Sequence, residues 1–452
     1  MRRARWLIRW HEPPAGADLP GATLVARSAA SGVRLSALWL RRWRTLDTLG
    51  EGFSRWWKSS FHNQLERTNE ITLLDGIMRL FDDTPRTYRG RADHTEGTFN
   101  FLNRSALPEY GHVRDLLECY FSRYPSIEQS ELRKKFRSQF ETAFFELFTY
   151  ELLLRLGCAI TVHPTLDKTN KKPDFLARFP QGEEVIIEAV VATDLSDAER
   201  ARKARLNTLY DKINSNLGPT NFFLSITDIT DRSNRNAIPI PKNILHSIKK
   251  VISGLDADSI TQAIEHGREY AFPQWTYRHR NGFELEIGVV PKSPGTRDDP
   301  EIPAIGMMSG ETRWGNSNPA LKNSINKKAT RYGKMDKPYV VIVNALSDWI
   351  LGRDDEVENL YGPAGTDGIT DAVWNRNKNT RLSGVLITRV WPWSVHDARM
   401  CLYHNPFAAN PCTNIPWNIP QYIRQGLAGR WLEGRTSADI FELQSNWRCP
   451  ND

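Results

Sequence analysis

Length, composition and charge already exclude several classes of protein. The chain has 452 residues, 40% hydrophobic and 25% charged, which allows two or three folded domains and excludes a disordered chain. No run approaches the ~18 apolar residues that a membrane span requires, and the five widely spaced cysteines indicate neither a disulfide scaffold nor a zinc site. We therefore expect a soluble, cytoplasmic protein without membrane contact. The net charge of +7 is a mild bias towards polyanions such as nucleic acid.

The chain begins with an extension rich in arginine and tryptophan, over residues 1–66. Its first 45 residues contain only two acids, Glu12 and Asp18. Such a segment can be a targeting peptide, a nucleic-acid arm or an over-extended reading frame, so we leave it out of the fold prediction. Residues 67–135 are predicted to form a helical lead-in, with helical patterns over 73–81 and 113–124.

A long buried helix is predicted from Ser126 to Gly157. Ser126 and Gln129 have the spacing of a capping box, and glycine is a favoured helix terminator. Aromatic and aliphatic side chains recur every fourth residue along this segment, at Phe140, Phe144, Phe148 and Leu152. Because its second half is apolar nearly all round, this helix belongs in the core.

Strands with a period of two follow the long helix. They are predicted over 158–162, 174–179 and 184–191. A charged helix over 197–217 and a strand over 222–226 then return the chain to the same sheet, as in an α/β domain.

The rest of the chain is predicted to complete this domain around an insertion. A second helix and strand lie over 319–332 and 338–344, and a last strand lies over 384–388. The predicted domain organisation is therefore a core of residues 136–228 and 313–412, an insertion over 229–312, and a C-terminal tail over 413–452.

Glu188 is unusual because it is an acid in the middle of an apolar strand. Strand alternation puts it on the same face as Ile186 and Val190. A buried, unpaired carboxylate is unfavourable or takes up a proton, so it requires a cation or a hydrogen-bond partner. Three explanations stay open: a metal site, a structural salt bridge, or an edge strand on which the side chain faces water.

Asp174 is the natural partner of Glu188, because it starts the preceding strand. By itself Pro173-Asp174-Phe175 is also an ordinary start of a strand after a turn. Two carboxylates on neighbouring strands, with the backbone carbonyl of Ala189, form the oxygen-rich corner that Mg²⁺ prefers. A metal ion there can activate water and neutralise charge on a phosphodiester, so the pattern predicts hydrolysis of nucleic acid with Mg²⁺ or Mn²⁺.

These acids resemble the pattern of the PD-(D/E)XK nuclease superfamily, which is a helix with Glu, a strand that starts with Pro-Asp, and a strand bearing (Asp/Glu)-X-Lys. The matching residues are Glu146, Pro173-Asp174 and Glu188-Ala189-Val190. Over roughly 95–412 the chain is also similar to a group of uncharacterised bacterial proteins of this superfamily. The motifs that carry this longer match are Phe145-Glu-Leu-Phe148, Lys172-Pro-Asp-Phe175, Lys327-Lys-Ala-Thr-Arg-Tyr-Gly333 and Tyr403-His-Asn-Pro406.

The resemblance implies a restriction-endonuclease-like α/β core, with a mixed central sheet flanked by helices. It implies a metal-dependent endonuclease, acting on DNA rather than RNA, in defence or repair. Asp174, Glu188 and the Ala189 carbonyl would hold the metal ion, and Glu146 would complete or polarise its water shell. Glu141 competes with Glu146 for this role, and helical periodicity does not decide between them.

The chain departs from the superfamily pattern at Val190, which stands where lysine is usual. Another element then has to supply the lysine, and the candidates are Lys328, Lys327, Lys212 and Lys203. We prefer Lys328, because its helix precedes a strand, 339–343, that is apolar throughout and therefore buried.

The missing lysine also keeps two other interpretations open. One is a nucleic-acid-binding protein that has this fold but lacks catalytic activity. The other is an unrelated α/β protein in which Asp174 and Glu188 never meet.

Overall fold

The computed structural model describes two compact units of the chain. Its described residues are 25–26, 35–36, 78–166, 170–193, 197–231, 241–266, 273–279, 282–297, 299, 302–308, 318–333, 335–346, 352–363, 372–426 and 428–449. One unit comprises those within 1–59 and 201–313, and the other comprises those within 60–200 and 314–452. The arginine-rich extension lies almost entirely outside the described residues, so its role stays an open question.

The described residues form a mixed α/β structure. The strands are β1 Val25–Ala26, β2 Leu35–Ser36, β3 Ala159–Val162, β4 Phe175–Arg178, β5 Glu184–Ala192, β6 Phe222–Asp231, β7 Gln274–Arg278, β8 Phe283–Pro291, β9 Ile305–Met308, β10 Tyr339–Ala345, β11 Gly384–Arg389, β12 Arg399–His404, β13 Gln421–Gln425 and β14 Ala428–Leu432. The helices are α1 Thr98–Arg104, α2 Pro108–Arg123, α3 Ser126–Ser138, α4 Phe140–Arg155, α5 Asp197–Leu217, α6 Pro241–Ile252, α7 Ala257–Glu265, α8 Asn318–Ala329, α9 Arg353–Tyr361 and α10 Ser437–Phe441, with a 3₁₀ turn at Pro294–Thr296.

An eight-stranded mixed sheet forms the centre of one unit. Its strand order is β14-β13-β12-β11-β10-β5-β4-β3. Strands β3, β4 and β5 form an antiparallel meander, whereas β5, β10 and β11 run parallel. All of β10 is buried, as its apolar sequence predicts.

Helices cover this sheet on both faces. On one face α4 packs its aromatic side chains, such as Phe144 and Phe148, against Ile187 and Val340. On the other face α8 packs Leu321 and Ile325. The central strands are therefore buried on both sides, which places any polar side chain at their ends in a partly dry environment.

The predicted long helix is two helices. Gln139 breaks it with φ −141° and ψ 57°, between α3 and α4. The predicted capping box is wrong, since Pro125 is the N-cap of α3 and no side chain caps that end. The predicted helix over 73–81 is also wrong in its described part, because residues 78–81 are not helical.

The second unit contains a separate four-stranded sheet of order β7-β8-β6-β9. It has its own core, which includes Ile213, Leu224 and Leu285. The prediction that the strand near Phe222 returns to the main sheet is therefore wrong: β6 pairs with β8 and β9. The structure also differs from the predicted boundaries at the other end, because β13 and β14 of the predicted tail extend the main sheet.

Two further observations concern the chain as a whole. Among the helices that the structure describes, none is long and apolar enough to cross a bilayer. All five cysteines are free, and Cys158, Cys401 and Cys412 are buried.

Candidate active site

Asp174 and Glu188 come together at the end of the β4–β5 pair. The last residues in register are Phe175 and Ile187, so residue 174 lies across from residue 188. The Asp174 carboxylate accepts a hydrogen bond from the backbone N–H of Ala189, at 2.8 Å from Oδ2. Because the N–H and C=O of one strand residue point the same way, the Ala189 carbonyl faces the same side.

Glu188 is completely buried and is already neutralised by the protein. Its Oε1 accepts hydrogen bonds from Lys328 Nζ at 2.5 Å and from Arg331 Nη1 at 2.6 Å. Its Oε2 accepts one from the Tyr332 hydroxyl at 2.7 Å. The edge-strand explanation is wrong, since β5 lies between β4 and β10. The salt bridge is present, so burial of this acid does not by itself demand a metal ion.

The C-terminal end of α8 delivers these partners. Lys328 lies in the last turn of the helix, and Arg331 and Tyr332 follow in the turn after it. The Tyr332 hydroxyl also lies 2.9 Å from the Lys172 carbonyl, and the Tyr339 hydroxyl donates to the Lys328 carbonyl at 3.0 Å. These contacts hold the helix end against the strand that carries Glu188.

Among the candidate lysines, Lys328 is the one with a contact to the acidic pair in the described residues. Lys327 is exposed on the same helix. Lys203 and Lys212 belong to the other compact unit. The amine of Lys328 reaches the acidic pair from another element, as its assignment requires, and its catalytic role stays a prediction.

Asp174 is the acid of the pair that keeps an open coordination position. Burial raises its pKa to about 6, the charge of Glu188 raises it as well, and Lys328 opposes both effects. Within the described part of the chain, no lysine or arginine pairs with Asp174 and its Oδ1 accepts no hydrogen bond. This carboxylate is therefore available to a cation.

Glu146 approaches Asp174 from α4, on the other face of the sheet. It is buried, and its carboxylate accepts hydrogen bonds from the Tyr124 hydroxyl at 2.9 Å and from Lys135 Nζ at 3.1 Å. His163 connects it to the pair, because its ring Nε2 lies 3.9 Å from Glu146 and its backbone N–H donates to the Asp174 carbonyl. The Glu146 charge also contributes to the raised pKa of Asp174.

Burial separates Glu146 from its competitor on the same helix. Glu141 is exposed, in the first turn of α4. Of the two glutamates only Glu146 lies near Asp174, so it is the one that the structure brings to the site.

The donors at this corner fit a hydrated Mg²⁺ ion, but not a fully protein-built metal cage. Among the described residues, no group of three or more His, Cys, Asp and Glu side chains is arranged to hold a metal ion. A carboxylate has about four acceptor positions, so Glu188 keeps one of them on Oε2 beside its three hydrogen bonds. With Asp174 Oδ1 and the Ala189 carbonyl, this makes the small oxygen set that Mg²⁺ uses when it keeps several waters.

A basic rim lies beside the acidic pair, formed by Lys171, Lys172, Arg331 and Arg381. All of these side chains are exposed. Lys171 Nζ lies 3.3 Å from the Arg331 carbonyl, and Arg381 donates to the Tyr332 carbonyl at 3.1 Å. Clustered cations beside a buried acidic pair provide the electrostatic attraction that a phosphodiester backbone needs.

Several residues of this site were not predicted from the sequence. Arg331 and Tyr332 had no assigned role, although their spacing of three and four from Lys328 puts them on its face of the helix predicted over 319–332. Tyr124, Lys135 and His163 gave no sequence signal, because they reach Glu146 through packing between separate segments.

Comparisons with protein families, with curated proteins and with solved structures found no match to this chain. The interpretation of the site therefore depends on its own geometry and on the short motifs in the sequence.

Proposed function

We propose that this protein is a metal-dependent nuclease that hydrolyses nucleic-acid phosphodiesters on a restriction-endonuclease-like core. DNA is the preferred substrate and the cytoplasm the site of action, in defence or repair. The observation that carries the proposal is the convergence of Asp174, Glu188 and Lys328 from three separate elements, beside a basic rim.

The local architecture supports this proposal. Glu146 is on a helix that packs on the meander, Pro173-Asp174 lies at the start of β4, and Glu188-Ala189 lies on the adjacent strand β5. These are the elements that the superfamily pattern requires. The superfamily pattern has a lysine at the position of Val190. In this chain Lys328, on α8, would supply that amine.

Each residue has a defined role in the proposed chemistry. Asp174, Glu188 and the Ala189 carbonyl hold the Mg²⁺ or Mn²⁺ ion, which when bound supplies water activation and charge neutralisation. Lys328 and Arg331 hold phosphate oxygens and stabilise the negative charge that develops on them. Glu146, on the opposite face of the sheet from α8, would complete or polarise the water shell of the ion. The two cations also repel a divalent ion, so we expect weak metal binding until an anionic substrate is bound.

One observation favours a second candidate, a nucleic-acid-binding protein without catalytic activity. Glu188 has two cationic partners and a tyrosine hydroxyl, so the corner is electrostatically satisfied without a metal ion. In that case the basic rim binds the phosphate backbone and the acids only stabilise the fold.

A cleavage assay separates the two candidates. Plasmid, linear duplex and single-stranded DNA, and RNA, are incubated with Mg²⁺ or Mn²⁺ and with wild type, Asp174→Ala, Lys328→Ala or Lys327→Ala. A nuclease cleaves at least one substrate, and loss of Asp174 or Lys328 lowers the rate by a factor of about 100 or more. Lys327→Ala is the matched control, because it removes an exposed lysine from the adjacent position of the same helix.

Absence of metal-dependent cleavage on every substrate would reject the nuclease and favour the binding protein. Equal cleavage by wild type and Lys328→Ala would reject the role of this lysine. The binding protein in turn requires salt-sensitive association with nucleic acid that Arg331→Ala weakens.

A further inference from the structure

A cavity away from the acidic pair, in the unit that contains the eight-stranded sheet, has no role in the proposed nuclease. Its volume is about 350 Å³, at the lower end of the range for small-molecule sites. It shares no lining residue with the acidic pair or its basic rim. Part of the Tyr403-His-Asn-Pro406 motif lines it, and this motif is otherwise unexplained.

One wall of this cavity is aromatic. Tyr361, Trp374 and Phe407 line it, and the rings of Tyr361 and Trp374 meet edge to face with centroids 4.8 Å apart. The indole N–H of Trp374 is buried and has no hydrogen-bond partner in the described residues. The cavity therefore presents aromatic side chains to a ligand on this side, and the buried indole N–H is not among the contacts that a ligand could make.

The polar side of the cavity is positively charged. Among the described residues, its lining includes Arg376 and Arg424 and no aspartate or glutamate. Arg424 is buried and held in place, because its Nε donates to the Gly426 carbonyl at 3.0 Å. Arg376 is exposed, and no hydrogen bond or ion pair engages it within the part of the chain that the structure describes. The cavity therefore attracts an anion.

His404 lines the cavity as a neutral side chain. It is buried, its Nε2 lies 2.8 Å from Gln421 Oε1, and its Nδ1 lies 3.5 Å from Cys412 Sγ. Burial lowers its pKa, so the ring is neutral at physiological pH. The positive charge of the cavity thus comes from the two arginines.

We infer that this cavity binds a nucleoside 5′-monophosphate. The base packs against the aromatic wall formed by Tyr361, Trp374 and Phe407. The phosphate lies against Arg376 and Arg424. Aromatic side chains that stack bases and arginines that bind phosphate are the usual means of nucleotide recognition, and the volume suits one small ligand. The inference does not depend on nuclease activity.

Calorimetric titration of the full chain tests this inference with AMP, adenosine and inorganic phosphate as separate ligands. AMP is expected to bind at least about 10-fold more tightly than adenosine or phosphate, because each of these lacks one half of the contacts. Arg376→Ala should weaken AMP binding by a factor of about 10 to 100 and leave adenosine binding nearly unchanged. Arg430→Ala is the matched control, since this arginine is exposed on β14 and does not line the cavity.

Phe407→Ala provides a second variant, which removes a partly exposed ring from the aromatic wall. It should fold, as thermal melting would show, and bind AMP several-fold more weakly. The inference is wrong if wild type does not bind AMP at millimolar concentration. It is equally wrong if phosphate alone binds as tightly as AMP, or if Arg376→Ala binds AMP like wild type.

Discussion

Asp174 and Glu188 lie side by side but differ in how their charge is compensated. Glu188 has two cations and a hydroxyl, whereas Asp174 has one backbone N–H. Burial and the Glu188 charge raise the pKa of Asp174 to about 6. The ionised form of Asp174 is therefore unfavourable in the folded protein. Carboxylates with a raised pKa of this kind are frequent among metal ligands and catalytic acids.

Asp174→Asn is expected to stabilise the protein at neutral and higher pH. Since the folded pKa of about 6 lies above the usual value of ~3.9, the folded state binds the proton more tightly and loses stability as pH rises between these values. Asparagine removes this penalty and can still accept from the Ala189 N–H. Urea unfolding should give a gain of about 1–3 kcal/mol near pH 8 and almost none near pH 4. A destabilised variant at pH 8 would show that the ionised carboxylate has a compensating partner.

Glu188→Ala is expected to be strongly destabilising. It leaves Lys328, only 16% exposed, beside Arg331 without the acid that both contact. Breaking a buried ion pair in this way costs about 3–5 kcal/mol in the free energy of unfolding. Glu184→Ala is the control on the same strand, because its ion pair with the 64% exposed Arg178 is worth about 1 kcal/mol or less. Similar losses for the two variants would mean that the Glu188 cluster is open to water.

At the scale of elements, the helix and strands that carry the acids could be predicted from the sequence. Their polar and apolar residues follow the periods of a helix and of strands. The strand predicted over 184–191 ends one residue before β5 does. The role of Arg331 could not be predicted, because an arginine at the end of a helix is usually exposed to solvent. Its contact with Glu188 arises only from the packing of α8 against the sheet. The break at Gln139 was not predictable either, since no glycine or proline marks it.

Phe148→Ala tests the packing of α4 on the sheet. The side chain is fully buried, with ring centroids 5.0 Å from Phe441 and 6.0 Å from Phe145. Removing it should cost about 3–5 kcal/mol in the free energy of unfolding. Ile127→Ala is the control, because Ile127 is 88% exposed and its loss should change stability by less than about 0.5 kcal/mol. A small effect of Phe148→Ala would mean that the aromatic stack repacks.

For the whole molecule, the order of helical and strand patterns along the chain predicted the α/β class but not the assignment of strands to sheets. The sequence of an apolar strand such as β6 does not indicate which strand lies next to it. The pattern therefore could not show that β6 pairs with β8 and β9. The aromatic tail was similarly uninformative, because short strands such as β13 and β14, with five residues each, contain few alternating residues. Long-range pairing is decided by packing and not by local period.

Two units with separate sheets and cores are expected to unfold in two transitions. Each core is continuous within its own unit, so each loses its buried apolar surface cooperatively. Leu285→Ala in the core of the second unit should lower only one transition temperature, and Phe148→Ala should lower only the other. Differential scanning calorimetry of wild type and of both variants measures this directly. If both substitutions shift one common transition by a similar amount, the two cores unfold as a single cooperative unit. The corner formed by Asp174 and Glu188 would then depend for its stability on residues of the other unit.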